Sequence, residues 1–252
     1  MKNKNFEFSP DLYDLQVNWT ERLKKEKDFF SRVLKNNKIE SMLDIGCGTG
    51  HHAEFFSGYV KKVIAIDPSG ETIEYAKRNI IKSPNITLLE EGFEGLEKIP
   101  FSEFDLITCL GNTLPILGNR RNVKQALKKI RKKIAPHGLA IIQFLNFNSD
   151  ILERNRFYDP KIFEKDGKTY ILIKHFEYGK IRTRVDFIMT VIHKNKLEDF
   201  FVNSSYLCTL KINLFLKMAG NSGFKKIELI GPGGKEVFDS GKDISLWALL
   251  YR

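Results

Sequence analysis

The chain has 252 residues, 42% hydrophobic and 29% charged, with a formal net charge of +10. That length and an ordinary apolar fraction exclude disorder and fibrous repeats, and they allow a full core without a metal or disulfide staple. Three cysteines, Cys47, Cys109 and Cys208, make no disulfide framework and lack metal-ligand spacing, so no metal is expected and a reducing, cytoplasmic setting is.

From Asp11 to Asn37 apolar residues recur at helical intervals (Leu12, Leu15, Trp19, Leu23, Phe30, Leu34), predicting one helical segment. Strand Ser41 to Ile45 runs into the glycine turn Gly46-Cys47-Gly48-Thr49-Gly50, then a helix from His51 to Ser57 and a strand from Lys62 to Ile66 ending in Asp67-Pro68-Ser69. Helix Glu71 to Ile81, strands Ile86 to Leu89 and Phe104 to Leu110, helix Asn122 to Ile134 and strand Leu139 to Leu145 continue the alternation. Strands alternating with helices imply right-handed crossovers, so the expected fold is α/β, a doubly wound, Rossmann-like, mostly parallel sheet. The apolar run Val63-Ile64-Ala65-Ile66 suits a strand covered on both faces.

After Asn148 the texture changes to β-rich runs with no helix between them: Tyr170 to Ile173, Val185 to Ile192 and Phe200 to Leu207, with Gly179-Lys180 as a hairpin turn. A helix from Thr209 to Ala219 and strands Phe224 to Ile230 and Ser245 to Tyr251 close the chain. The expected organisation is a helical segment over 1–38, an α/β domain formed by 39–148 and 208–252, and an antiparallel insertion over 149–207. No apolar run reaches the roughly 18 residues of a membrane-spanning helix.

The chemistry concentrates at the first turn. Glycines 46, 48 and 50 allow positive φ and let a ligand approach the backbone, at a helix N-terminus that favours negative groups. Asp67 ends the next strand 21 residues beyond Gly46, where a doubly wound sheet presents an acid to ribose hydroxyls. The dinucleotide pattern G-x-G-x-x-G fails, because its last position holds His51 and the third glycine comes one place early. No Gly-Lys-Ser or Gly-Lys-Thr phosphate loop occurs.

The D-x-G-x-G-x-G run from Asp44 to Gly50 resembles the cofactor turn of class I S-adenosylmethionine-dependent methyltransferases, and the resemblance extends over most of the chain. Phe104-Asp105-Leu106-Ile107 is similar to the family's fourth strand, Ala135-Pro136-His137-Gly138 to the turn before its fifth, and the last two strands to the pair that completes a seven-stranded sheet. Cys109-Leu110-Gly111-Asn112-Thr113-Leu114, the Tyr13…Trp19…Arg22 pattern and Leu145-Asn146-Phe147-Asn148 resemble the glycine and sarcosine N-methyltransferase branch and its bacterial small-molecule relatives.

The resemblance implies S-adenosyl-L-methionine as cofactor, bound by Asp44, Gly46, Cys47, Gly48, Gly50, Asp67, Pro68, Leu110 and Gly111, with Tyr13, Trp19 and Arg22 folding over it. One departure stands out: Glu90-Glu91-Gly92-Phe93 places glycine where the family often has an acid facing the adenine amine. Glu91 is the substitute candidate there, beside Gly92, with Phe93 contributing its amide and ring.

The implied reaction is in-line displacement at the sulfonium methyl by a substrate nitrogen or oxygen. The leaving group is already activated, so the chief task is orientation, and no residue is forced into a base role. Asn112 and Asn146, at the carboxyl ends of strands four and five, are candidates to orient the acceptor. The insertion is expected to form a wall or lid, and Arg154, Arg156, Tyr158, Tyr178, Arg182 and Arg184 suit a carboxylate-bearing small molecule. His175 and His193 are weaker candidates to face the site, and Cys109 reads as a small apolar residue. Two other readings stay open: an RNA methyltransferase, favoured by the charge but without an RNA-binding module or RNP-like aromatic pattern, and a non-catalytic adenosine-ligand protein. The sequence is silent on oligomeric state.

Overall fold

The computed structural model describes residues 9–148, 156–234 and 237–252. Helices α1 (Pro10–Gln16) and α2 (Trp19–Asn36) lead into β1 (Ser41–Ile45), α3 (His51–Ser57), β2 (Lys62–Asp67), α4 (Gly70–Asn79) and β3 (Ile86–Glu90). A 3-10 turn over Phe93–Lys98 precedes β4 (Phe104–Cys109), a second over Pro115–Leu117 precedes α5 (Arg120–Lys133), and β5 spans Ile134–Leu145. Four further strands follow, β6 (Lys161–Lys165), β7 (Lys168–Tyr178), β8 (Arg182–His193) and β9 (Lys196–Cys208). Then come α6 (Ile212–Gly220), β10 (Lys226–Ile230) and β11 (Ser245–Tyr251).

Seven strands form one sheet in the order β10-β11-β5-β4-β1-β2-β3. β1 pairs in parallel with β2 and β4, β2 with β3 and β4 with β5, while β11 runs antiparallel to β5 and β10. The central strands are buried on both faces: Met42, Leu43, Val63, Ala65, Leu106 and Ile107 are all inaccessible to solvent. The expected doubly wound, seven-stranded sheet is therefore the observed one, and the carboxyl ends of β1, β2, β4 and β5 converge on one edge.

The predicted N-terminal helix is two helices. Asn18 interrupts it: its side chain accepts from the Glu21 N–H at 3.1 Å, so it acts as the N-cap of α2. An asparagine that supplies an acceptor to the first turn favours a fresh start over continuation of α1. α2 then buries Phe29, Phe30 and Val33 against the sheet face that includes Val63, Leu106 and Trp247.

The insertion is a separate four-stranded antiparallel sheet, β6-β7-β8-β9. Strand β6 escaped the sequence reading. It is a short edge strand, Lys161-Ile162-Phe163-Glu164-Lys165, whose charges suppress the apolar signal and discourage pairing with other chains. Strict alternation gives the sheet two faces. Leu172, Phe176, Val185 and Met189 lie on the inner one, where Phe176 and Val185 join the main core, whereas Ile162, Phe200 and Val202 are exposed on the other. Among the described residues no helix is long and apolar enough to cross a membrane.

Candidate active site

The glycine turn is fixed by its neighbours before any ligand is considered. The Gly46 and Cys47 N–H groups both donate to Ile66 O, at 2.8 and 2.9 Å, tying the turn to β2. Gly46 has φ +69°, and a Cβ there would lie 2.3 Å from Thr113 Cγ2, so no other residue fits. Gly50 is the N-cap of α3 with φ +88°, held against Ile81 and away from the open side of the turn. The Gly48 N–H donates to Asp67 Oδ2 at 3.0 Å, and Asp67 Oδ1 accepts from Ser69 N–H at 3.0 Å.

Two cavities meet here. The larger, about 340 Å³, is walled by Asp67 and Pro68 after β2, Glu91, Gly92 and Phe93 after β3, and Gly111 and Thr113 after β4, with Ile45, Gly46 and Glu94. The smaller, about 60 Å³, is enclosed by Tyr13, Trp19 and Arg22 above, Asp44, Cys47 and Gly48 below, and Leu110, Gly111 and Thr113 to one side. Gly46 and Gly111 line both, so the two are continuous at those glycines. Every residue expected to hold the cofactor lines one of them except Gly50, whose part is to start α3.

Burial sets the electrostatics. Asp44 is 2% exposed; Oδ1 accepts from Thr108 Oγ1 at 2.6 Å, while Oδ2 has no hydrogen-bond partner. Desolvation holds its carboxyl above the usual carboxylate range. Asp67 is raised too, by burial that outweighs its hydrogen bonds from Ser69 and Gly48. Burial also pushes up the Tyr13 phenol against the pull of Arg22. Cys109 is fully buried and its thiol is pushed far up by desolvation, which agrees with its reading as an apolar filler.

The helical segment is fastened over the turn by residues that sequence reasoning passed over. Asp14 accepts from Thr49 Oγ1 at 2.6 Å and Trp19 Nε1 at 2.8 Å, and lies 3.0 Å from His51 Nε2. One residue on, His52 Nε2 meets Glu26 at 2.8 Å, and Arg22 Nε donates to the other oxygen of Glu26 at 3.1 Å. Trp19 stacks on His51 with centroids 4.5 Å apart, and the Arg22 guanidinium sits 4.9 Å over the Trp19 ring. The adjacent histidines that open α3 are thus latches, each taking one acid from a different N-terminal helix. Only their adjacency at the turn could have signalled it.

Several of the expected residues already have partners within the chain. Asn146 is fully buried, with its amide donating to Ser240 O and Asp243 O at 2.9 and 2.8 Å and its Oδ1 accepting from Asn148 N–H. It splices β5 to the loop before β11, with both amide hydrogens committed there. Asn112, with φ +71°, accepts from Leu145 N–H at 2.8 Å and so ties the β4 end to the β5 end. Gln143, unremarked in the sequence, does the same through Gly111 N–H at 2.6 Å. Glu91 lies over Gly95, 3.5 Å from Lys98 Nζ, and the acid beside Gly92 is Glu94, whose Oε2 a Cβ on Gly92 would meet at 2.6 Å.

The insertion's arginines turn elsewhere. Arg184 pairs with Glu177 and Asp186, Arg156 and Arg182 are exposed, and Arg154 lies outside the described residues. His175 is bound to Asp186 at 2.9 Å and His193 to Glu198 at 3.1 Å, so neither is free for the site. Tyr158 and Tyr178 do reach inward, packing against the core through Phe176.

Residues 42–138 match the family model described as a methyltransferase domain. This domain match, the seven-stranded sheet and the glycine turn together support a class I S-adenosylmethionine-dependent methyltransferase. Within the class it is similar to a glycine/sarcosine N-methyltransferase of Halorhodospira halochloris, 24% identical over 222 residues that cover 88% of this chain and 79% of that protein. Its fold is that of a methyltransferase from Clostridium acetobutylicum, with a TM-score of 0.73 at 16% identity over 97% of this chain and 96% of the other. It also matches the structure of CalS10 from Micromonospora echinaspora, an amino pentose methyltransferase with S-adenosylmethionine bound. There the TM-score is 0.72 at 16% identity, over the full length of both chains.

Proposed function

We propose that the chain methylates a nitrogen of a small, carboxylate-bearing molecule, holding S-adenosylmethionine across the two cavities. The observation that carries this reading is Asp44 Oδ2, a buried acceptor with no partner on the wall of the smaller cavity. A buried acceptor left unmade costs roughly 1–3 kcal/mol. The ammonium of a methionyl group answers it, and Arg22 in the same wall answers the adjoining carboxylate. Gly48 and Gly111 have nothing within 4 Å of where a Cβ would stand, which leaves the backbone open to close approach. Asp67 keeps a free lone pair on each oxygen for the ribose hydroxyls, and Pro68, Gly92 and Phe93 flank the space for adenine, with Glu94 as the nearby acid.

When bound, the cofactor supplies a methyl group activated on a cationic sulfur. The residues of this chain orient and enclose: Tyr13, Trp19 and Arg22 close over the methionyl end, latched by Asp14 and Glu26, and the insertion's inner face walls the acceptor side. Alignment of this kind reaches effective molarities as high as about 10⁵–10⁸ M. Nitrogen acceptors are favoured because the relatives are named for glycine, sarcosine and an amino pentose. The RNA reading loses support because the basic face of α5 is partly committed. Lys129 donates to Phe93 O and Glu94 O, Lys133 to Ile99 O and Phe101 O, and Arg131 to Gly223 O.

The test is calorimetric titration with S-adenosylmethionine, S-adenosylhomocysteine and NAD, followed by an acceptor screen of amino acids, amino sugars, small amines and phenols. Binding of the two sulfur nucleosides with turnover of an amine is expected. Turnover confined to phenols would overturn the nitrogen assignment.

A further inference from the structure

On the inner face of the insertion Lys174 stands among mainly apolar rows. Reading across β7, β8 and β9, Leu172–Met189–Phe201 and Phe176–Val185–Ser205 flank the row Lys174–Phe187–Asn203. Lys174 thus stands between two apolar clusters. Its ammonium lies 5.3 Å over the Phe187 ring and has no carboxylate partner among the described residues. The charge nearest it in effect is another cation, Lys161, which register places on the same face opposite Leu172. Lys161 Nζ donates to Gln16 O at 2.7 Å, at the end of α1, and feels the charge of Arg22 in the wall of the smaller cavity. Burial, helped by Lys161, pulls the Lys174 pKa down to about 8. On the same face the buried Tyr158 and Tyr178 hydroxyls lie close enough to interact with each other.

Two ammonium groups near each other repel, and among the described residues no carboxylate neutralises Lys174. A deep ammonium without a carboxylate, with a second cation near it, is the signature of a site for an anion. We infer that Lys174, with Lys161 behind it, receives the carboxylate of the methyl acceptor on the insertion's inner face. This rests on the methyltransferase reading and deepens it. It moves the acid-binding role from Arg182 and Arg184 to a lysine that sequence inspection passed over. A lysine flanked by Ile171-Leu172-Ile173 and His175-Phe176 is the trace it leaves. A carboxylate held there leaves the amine of the same molecule free to be presented to the methyl end, where it must be unprotonated to attack.

The test is competitive acetylation of the intact protein, saturated with S-adenosylhomocysteine, by N-hydroxysuccinimidyl acetate at pH 8 and constant ionic strength. Mass spectrometry follows Lys174, with exposed Lys61 as internal reference. Acetate and N-acetylglycine are expected to slow Lys174 acetylation saturably, by threefold or more, while leaving Lys61 unchanged; acetamide and N-acetylglycinamide are expected to do nothing. Indifference of Lys174 to the carboxylates, equal protection by the amides, or protection by inorganic phosphate alone would overturn the assignment. S-adenosylhomocysteine binding is read separately by calorimetry on the same protein. Its failure would sink the methyltransferase reading whatever Lys174 does.

Discussion

Gly48 donates its backbone N–H to Asp67 Oδ2 at 3.0 Å, so the carboxylate that ends β2 grips the turn that ends β1. The same side chain lines the larger cavity. One acid thereby shapes the turn and presents itself to a ligand, and the proposed cofactor site depends on both. Replacing it with alanine removes a charge-assisted hydrogen bond, worth about 1.5–3 kcal/mol. Asp67→Ala should weaken S-adenosylhomocysteine binding at least about tenfold, as read by calorimetry. The melting temperature should move only a few degrees, because the sheet core does not include Asp67. Unchanged affinity would remove Asp67 from the site.

The raised carboxyls of Asp44 and Asp67 predict proton release. Their folded pKa values lie above the ordinary carboxylate value, so charging either becomes easier once a cation or hydroxyl donor arrives. Binding should therefore expel protons and weaken as the pH falls toward the carboxylate range. Calorimetry in buffers of different ionisation enthalpy reads this directly. Asp44→Asn should reduce the released fraction.

Asp14 and Glu26 titrate in the opposite sense. Burial alone would raise both, but hydrogen bonds from His51, Thr49 and Trp19 hold Asp14 low, and His52 and Arg22 hold Glu26 low. A depressed folded pKa stabilises the fold above the unfolded carboxylate value, roughly 4, and that contribution is lost as the pH falls through the folded value. Acid should therefore release the helical segment, seen as a change in Trp19 fluorescence below about pH 4. Asp14→Asn should abolish most of that acid-dependent change and lower the melting temperature at pH 7. A wild-type acid profile retained in the variant would refute the latch.

How far the sequence carried the reading depends on how local each signal was. The turn at Gly46 to Gly50, the acid at 67 and the alternation of β1 through β5 are encoded in contiguous residues, and all are where the pattern put them. What stayed hidden is built from distant partners. Asp14 reaches Thr49 across 35 positions, Glu26 reaches His52 across 26, and Asn146 bonds to Ser240 and Asp243 nearly a hundred residues later. Asn112 and Asn146 stand at the strand ends where the pattern puts them, but position along a strand does not say which partners an amide takes. Glu94 sits in the first turn of the 3-10 helix and Glu91 two residues before that helix begins, a difference that residue spacing alone could not resolve.

Asn146 therefore yields a prediction about stability. Asn146→Ala removes the hydrogen bonds of a fully buried side chain to Ser240 O, Asp243 O and Asn148 N–H and should cost about 1–3 kcal/mol of folding free energy. In the folded fraction, S-adenosylhomocysteine affinity should stay within about threefold of wild type, since under 1 kcal/mol is at stake. Cys109→Ala, a small cavity in the core, should cost about 1 kcal/mol and leave methyl transfer intact, which a nucleophilic role would not allow.

The most direct measurement is a crystal structure with S-adenosylhomocysteine. The account predicts its ribose hydroxyls on Asp67, its amino group within hydrogen-bond distance of Asp44 Oδ2 and its adenine between Pro68 and Phe93. A nucleoside bound elsewhere, or Asp67 still engaged with Gly48 while the sugar points away, would contradict it.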